Sequence, residues 1–195
     1  MILPNDFNTA KPYGQGSFSP LPVGGHVCRI VGARAGKFSS GADMIEVAFD
    51  IDEGGPDDGR FQARFDELRK SNPQAKWPNG GIFRTGLTNR DGRTSGFFKG
   101  LITAIEESNP GYSFQGSGCN ENTLKGKRVG FNFGEEEYKG NDGTIKTAVK
   151  AFYAVSTATV IEGIAPPQKK AYKPRSSESF TLPGFTEVTD IELPF

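Results

Sequence analysis

The sequence is poor in the residues that build catalytic and metal centres. Its 195 residues include two cysteines, one histidine and one tryptophan. Cys28 and Cys119 lack the spacing of a disulfide framework or a zinc site, so we interpret both as free thiols in a reducing compartment. His26 lies beside two glycines and is the single histidine of the sequence, which argues against a catalytic triad and against a His-based metal site. A structural role for His26 is the simpler reading.

Long apolar runs and net charge are also lacking. No apolar stretch approaches the length of about 20 residues that spans a membrane, so we expect a soluble, cytoplasmic protein with no membrane partner. The 23 basic and 23 acidic residues cancel, but they are unevenly placed. Residues 39–59 hold seven acids and no base, whereas residues 60–93 hold eight bases and three acids. A local basic surface is therefore predicted despite the neutral total.

One segment has helical spacing of its apolar residues. Residues 95–108 place five of them on one predicted face: Phe97, Phe98, Leu101, Ile102 and Ile105. Thr94 or Ser95 is suited to cap the start, and the sequence Asn109-Pro110-Gly111 is typical of a helix end. This pattern predicts one amphipathic helix.

Alternating apolar and polar residues predict five strands around that helix. They are residues 27–33, 45–51, 60–65, 127–133 and 144–155. The turn sequence Asn141-Asp142-Gly143 joins the last two as a hairpin. Because a single helix between the third and fourth of five strands is typical of the OB fold, we predict a mainly β, five-stranded OB barrel with a capping helix.

The predicted organisation is one domain with flexible ends. Residues 1–24 form an extended arm, residues 25–162 the folded domain, and residues 163–195 a disordered linker with an acidic tip. Within the domain, residues 66–94 are interpreted as a long polar loop insertion. Insertions of that length are usually functional or disordered.

Basic and aromatic residues occur together in a manner typical of proteins that bind single-stranded nucleic acid. Such proteins hold phosphates with cationic side chains and stack bases on aromatic rings. We predict that one groove of the barrel is bordered by Arg60, Arg64, Lys76, Trp77, Phe83, Arg84, Lys146, Lys150 and Phe152. Trp77 has no obvious core to join, and it is predicted to stack on a base. The alternative without a binding function is a solvated basic face with a structural tryptophan.

No residue is predicted to be catalytic, and no metal or cofactor is expected. One alternative is a metal-dependent nuclease of DNA recombination that uses Asp57, Glu137 and Lys139, since Glu137-Tyr138-Lys139 has the acid-x-lysine spacing of a common nuclease site. A second alternative is an adaptor that acts through its tail alone. Monomeric and homo-oligomeric states both fit the sequence.

The last six residues carry a resemblance. They are Asp190, Ile191, Glu192, Leu193, Pro194 and Phe195. This segment resembles the acidic tip of bacterial and phage single-stranded DNA-binding proteins, in which acids precede a terminal Pro-Phe. Residues 21–27, 96–101 and 109–112 look like a family of small phage proteins described as single-stranded DNA-binding. The resemblance implies an OB domain that holds the strand, a tip that recruits replication, recombination or repair proteins, and a location in the host cytoplasm if a phage encodes the chain.

Overall fold

The computed structural model describes residues 21–173. Within this range it contains five strands and three α-helices, in the order β1 (Gly24–Lys37), β2 (Asp43–Ile51), α1 (Arg60–Ser71), β3 (Ile82–Gly86), α2 (Gly96–Ser108), β4 (Arg128–Lys139), β5 (Ile145–Val155) and α3 (Thr157–Glu162). Two short 3-10 helices, Asn79–Gly81 and Glu121–Leu124, precede β3 and β4. The predicted mainly β class with five strands is confirmed.

The strands form a single antiparallel sheet in the order β3-β2-β1-β4-β5. β1 is central because its 14 residues are long enough to pair with two neighbours. Its first part pairs with β4, and its second part pairs with β2. Among the described residues the sheet is open, with β3 and β5 at its edges, although some of their Cα atoms lie within 8 Å of each other.

Aromatic rings from β2 and β4 fill the centre of the core. Phe49, Phe131 and Phe133 are completely buried, and the centroids of the Phe49 and Phe131 rings lie 4.4 Å apart. Fully burying a side chain of this size contributes about 1.5 to 3 kcal/mol. These alternate residues point inward from their strands, as the period of two requires.

Helix α2 confirms the predicted amphipathic helix, with Ser95 as its N-cap. Its buried face consists of Leu101, Ile102, Ala104 and Ile105. Phe97 is the exception to the predicted apolar face, because it is 58% exposed. The expectation of a single helix was wrong, since α1 and α3 are also present.

The predicted third strand, residues 60–65, was wrong: this segment opens helix α1. Phe61 and Phe65 fit a strand face, but they are also four residues apart and thus share a helix face. The buried Asp50 carboxylate on β2 accepts hydrogen bonds from the backbone N–H groups of Phe61 and Gln62, at 2.8 and 2.9 Å. These bonds satisfy donors that a helix start leaves unpaired.

The third strand instead lies inside the segment that the sequence assigned to a loop insertion. β3 pairs with β2, with Phe83 opposite Val47 and Arg84 opposite Glu46. Phe83 is only 5% exposed and belongs to the core. Alternation along β3 therefore turns Arg84 to the outer face of the sheet.

The β4–β5 hairpin is present as predicted, and the chain continues beyond it along the sheet. After α3, residues 163–173 lie against β4, where Lys170 and Glu136 form a parallel bridge. Its hydrogen bonds join Lys170 N–H to Glu135 O and Glu137 N–H to Lys170 O, each at 2.9 Å. We call residues 163–173 the strap. The sequence assigned this segment to the linker, whereas here it belongs to the folded part.

Candidate nucleic-acid interface

A groove of about 830 Å³ lies between the two edge strands, β3 and β5. We call it the edge groove. Its aromatic lining residues are Phe38, Phe83, Phe97, Tyr138 and Phe152, and its charged ones are Arg84, Glu136, Lys150 and Lys170. Three cations and one carboxylate make this lining basic.

Three of the aromatic side chains are exposed to solvent, and each comes from a different part of the chain. Phe38 follows β1, and the loop around it is closed by a 2.9 Å hydrogen bond from its N–H to Ala42 O. Phe97 lies in the first turn of α2, and Tyr138 lies near the end of β4. Exposed rings along a groove are the surfaces on which unpaired bases stack.

Two of the groove cations, Arg84 and Lys150, are held by carboxylates and stay partly exposed. Lys150 Nζ lies 2.8 Å from Glu136 Oε2 across the β4–β5 pair. Arg84 donates from Nε to Glu46 on the neighbouring strand. The partly exposed Lys150–Glu136 pair contributes little to stability, about 0 to 1 kcal/mol, but it holds the ammonium group at the groove.

The strap contributes Lys170 to the lining of the groove. Lys170 Nζ lies 3.8 Å from the centroid of the Phe152 ring, a cation–π contact. Lys169 Nζ lies 2.8 Å from Glu137 Oε1. The Lys169 ammonium and the Tyr172 N–H lower the pKa of Glu137, and the Glu137 carboxylate raises the pKa of Lys169. The strap is thus attached to β4 by both charge and backbone hydrogen bonds.

A smaller hollow of about 360 Å³ adjoins the edge groove. We call it the side hollow. It is lined by Arg34, Glu46, Lys76, Trp77, Asn79, Ile82 and Arg84. Asn79, Ile82 and Arg84 line both spaces, so the side hollow continues the groove over the outer face of β3 and β2.

The structure brings together some of the predicted nucleic-acid residues. Arg84, Lys150 and Phe152 line the edge groove, and Lys76 and Trp77 line the side hollow. Their clustering follows from β3 and β5 being opposite edges of one curved sheet.

Other predicted residues lie elsewhere. Arg60 and Arg64 are on α1 rather than on an outward strand face, and they pair with Asp57 and Glu67. Lys146 pairs with Asp142, at 2.9 Å, in the hairpin turn. None of the three basic residues lines the edge groove or the side hollow.

Two aromatic predictions also change. Phe83 reaches the groove only as part of its buried floor, and its ring packs against Phe131 with centroids 5.2 Å apart. Trp77 does have a packing partner, because its ring lies 5.4 Å from that of Phe65. Its indole N–H donates to Gly81 O at 3.0 Å. The premise that Trp77 has no core to join was therefore wrong, while base stacking on its exposed side stays a prediction.

Sequence reasoning missed Phe38, Phe97, Tyr138, Lys170 and Arg34 as members of this surface. Phe97 was assigned to the apolar helix face, and Tyr138 appeared only inside the acid-x-lysine motif of the nuclease alternative. Phe38, Lys170 and Arg34 stood outside the segments assigned to nucleic-acid binding. A usable signal existed for Phe97, since α2 has one more large apolar residue than its buried stripe needs.

The two carboxylates of the nuclease alternative have other partners. Glu137 binds Lys169 and the Tyr172 N–H, and Asp57 binds Arg60. Between residues 21 and 173, no group of three or more His, Cys, Asp or Glu side chains is arranged to hold a metal ion.

His26 and the cysteines have structural surroundings. His26 is buried, with Nδ1 2.6 Å from Glu53 Oε1 and Nε2 2.9 Å from Pro22 O. Cys28 is buried in β1, and burial raises the pKa of its thiol well above the usual value. Cys119 is an exposed free thiol. The structural role predicted for His26 is thereby supported.

Comparisons with known proteins add no family: no protein-family model matches the chain, and no curated protein is significantly similar in sequence. In the described part of the chain, none of the helices has the length and apolar character needed to cross a membrane. The predicted partner-binding tip, residues 190–195, and residues 1–20 of the predicted arm lie outside the described residues.

Proposed function

We propose that the protein binds single-stranded DNA in the edge groove, largely without regard to sequence, and protects it during phage or bacterial DNA replication or recombination. The main support is one observation: the exposed rings of Phe38, Phe97 and Tyr138 line the same groove as Arg84 and Lys150. Rings and cations in one groove are the two parts of a single-strand site, because every base has a π-face and every nucleotide has a phosphate. Binding of this kind requires no cofactor.

The strand connectivity supports an OB barrel as the finer description of the fold. An order of β3-β2-β1-β4-β5, with α2 between β3 and β4, becomes a five-stranded barrel if β3 and β5 meet. The edge groove lies at this junction. OB folds bind oligonucleotides across their strands and loops, which agrees with a groove formed by β3, β5 and the loop after β1.

A single strand fits this groove better than a duplex does. The bases of a duplex are stacked inside the helix and cannot reach aromatic side chains, whereas unpaired bases can. Exposed rings would gain nothing from a duplex, which leaves only the phosphates to attract it.

The first test is a salt titration of affinity for single- and double-stranded oligonucleotides of equal length. We expect tighter single-strand binding whose logarithm falls linearly with the logarithm of salt concentration. Arg84→Ala should reduce the slope by about 0.7, the value for one lost phosphate contact on a single strand. Arg64→Ala removes an equal charge from α1, outside the groove, and should leave the slope unchanged. Equal affinity for the duplex, or a flat salt response, would refute the proposal.

The proposal includes recruitment of replication, recombination or repair proteins by residues 190–195. Deleting these six residues should leave single-strand affinity equal or tighter, because the acids Asp190 and Glu192 no longer compete with phosphates for the basic groove. The same deletion should abolish the capture of such proteins from bacterial extract, with mass spectrometry identifying them. A matched control, Asp190→Asn/Glu192→Gln, removes both charges and keeps Phe195. Weaker DNA binding with unchanged capture would assign the tip to the DNA site instead.

A further inference from the structure

A row of three charged side chains crosses the outer face of the sheet beside the side hollow. Arg34 on β1 is the register partner of Glu46 on β2, and Glu46 is the register partner of Arg84 on β3. Two interstrand spacings separate the outer members of this row, which is about 10 Å. The row joins the edge groove, at Arg84, to the far side of the side hollow, at Arg34.

Glu46 holds both guanidinium groups. Arg34 donates from Nε and Nη2 to Glu46 Oε1, at 2.8 and 2.7 Å, and Arg84 donates to Oε2. The Glu46 side chain is only 11% exposed, whereas that of Arg34 is 72% exposed. A guanidinium has five N–H donors, so the contacts with Glu46 leave the exposed Arg34 side chain with further donors that a ligand can use.

The wall of the side hollow is rigid. Trp77 is fixed by its hydrogen bond to Gly81 O and by the Phe65 ring. Gly81 is packed so tightly that an added Cβ would lie 2.7 Å from Trp77 Nε1 and 2.7 Å from the Phe61 ring. The hollow is therefore formed before any ligand arrives, and binding there costs little ordering of the protein.

The charge of the side hollow is suited to phosphate. Three cations, Arg34, Lys76 and Arg84, surround the one carboxylate of Glu46. Since Glu46 is already shared by two guanidinium groups, a surplus of positive charge faces the solvent. Arginine forks match the geometry of phosphate oxygens, and lysine adds a mobile point charge.

We propose that the side hollow is a second phosphate-binding subsite for the same single strand. A strand leaving the edge groove passes Arg84 and continues into the side hollow, where Arg34 and Lys76 bind its phosphates. The protein therefore selects strands that are long enough to occupy both spaces. This inference rests on the proposed function, since the strand must first occupy the edge groove.

The test compares oligothymidylates of about 5 and about 15 nucleotides, near the two ends of the range of site sizes for one OB fold. The variant Arg34→Ala/Lys76→Ala removes two phosphate contacts. At 0.1 M salt it should weaken binding of the longer strand about 25-fold and reduce its salt slope by about 1.4. Binding of the shorter strand, which the edge groove accommodates, should stay unchanged.

Two controls accompany this variant. Arg64→Ala/Lys125→Ala makes the same charge change at exposed positions outside both spaces and should preserve affinity for both strands. Arg34→Lys/Lys76→Arg keeps both charges and should restore the salt slope for the longer strand. Circular dichroism and thermal unfolding establish that each variant is folded.

The outcomes separate the two proposals. A loss confined to the longer strand supports the second subsite. If wild-type protein binds both strands but Arg34→Ala/Lys76→Ala weakens neither, or weakens both equally, the second subsite is overturned while single-strand binding stands. If wild-type protein binds neither strand, single-strand binding itself fails, and the second subsite fails with it.

Discussion

Replacing Phe97 with alanine is expected to weaken single-strand binding by about 1 to 3 kcal/mol, the range found when one base-stacking ring is removed. This equals a loss of about 5- to 150-fold in affinity. Phe97 is 58% exposed in the first turn of α2, where it borders the edge groove. An apolar ring held in water gains most when a base covers it, because stacking buries both surfaces.

Fluorescence anisotropy with a labelled oligothymidylate measures this loss of affinity. Thermal unfolding measures the stability of each variant. Phe97→Ala should keep the unfolding temperature of the wild type, since little buried surface is removed. Phe97→Tyr keeps a ring and should restore binding. Ile161→Ala removes an apolar side chain of α3 that is even more exposed than Phe97 and lies outside the groove, and it should leave binding unchanged. If Phe97→Ala binds as tightly as wild type, Phe97 is not a stacking residue.

The helix could be predicted from sequence, but the position of Phe97 at the edge groove could not. Helical spacing, a serine at the N-cap and an Asn-Pro-Gly end are local properties, and each was present at α2. Which flank of the apolar stripe meets the core depends on the position of α2 over β4 and β5. Leu101 and Ile105 face that core, and Phe97 is left at the groove.

The segment beginning at Arg60 shows why one strand was misassigned. Phe61 and Phe65 satisfy the strand period and the helix period at once, so periodicity alone does not decide between them. The deciding contact is the Asp50 carboxylate, which caps α1 from β2. Because this cap comes from a residue more than ten positions away, no local sequence pattern indicates the start of the helix.

The sequence indicated which types of residue form the candidate site better than it indicated which individual residues belong to it. Arg84, Lys150 and Phe152 were found because cations and rings lie close together in those stretches. Arg60 and Arg64 belong to an equally basic stretch, yet α1 carries them away from the groove. Phe38 and Lys170 join the surface through a loop and a strap, whose positions depend on long-range pairing.

The second large effect expected is on stability, at Phe83. Phe83→Ala should lower the free energy of unfolding by about 3 to 5 kcal/mol, as is usual when a buried phenylalanine is truncated and a cavity remains. The ring is 5% exposed and packs against Phe131 beneath the edge groove. For a protein of this size, each kcal/mol corresponds to about 2 to 4 °C in unfolding temperature, which gives a decrease of roughly 6 to 20 °C.

Phe38→Ala is the matched control for Phe83→Ala, because it removes the same ring from the solvent-exposed side of the same groove. We expect Phe38→Ala to retain the wild-type unfolding temperature and lose affinity for single strands. Phe83→Ala should behave in the opposite way when binding is measured below its unfolding transition, since Arg84 stays paired with Glu46 on β2 and the exposed rings are untouched. A Phe83→Ala protein with unchanged unfolding but weakened DNA binding would contradict the core assignment and return Phe83 to the set of base-contacting residues.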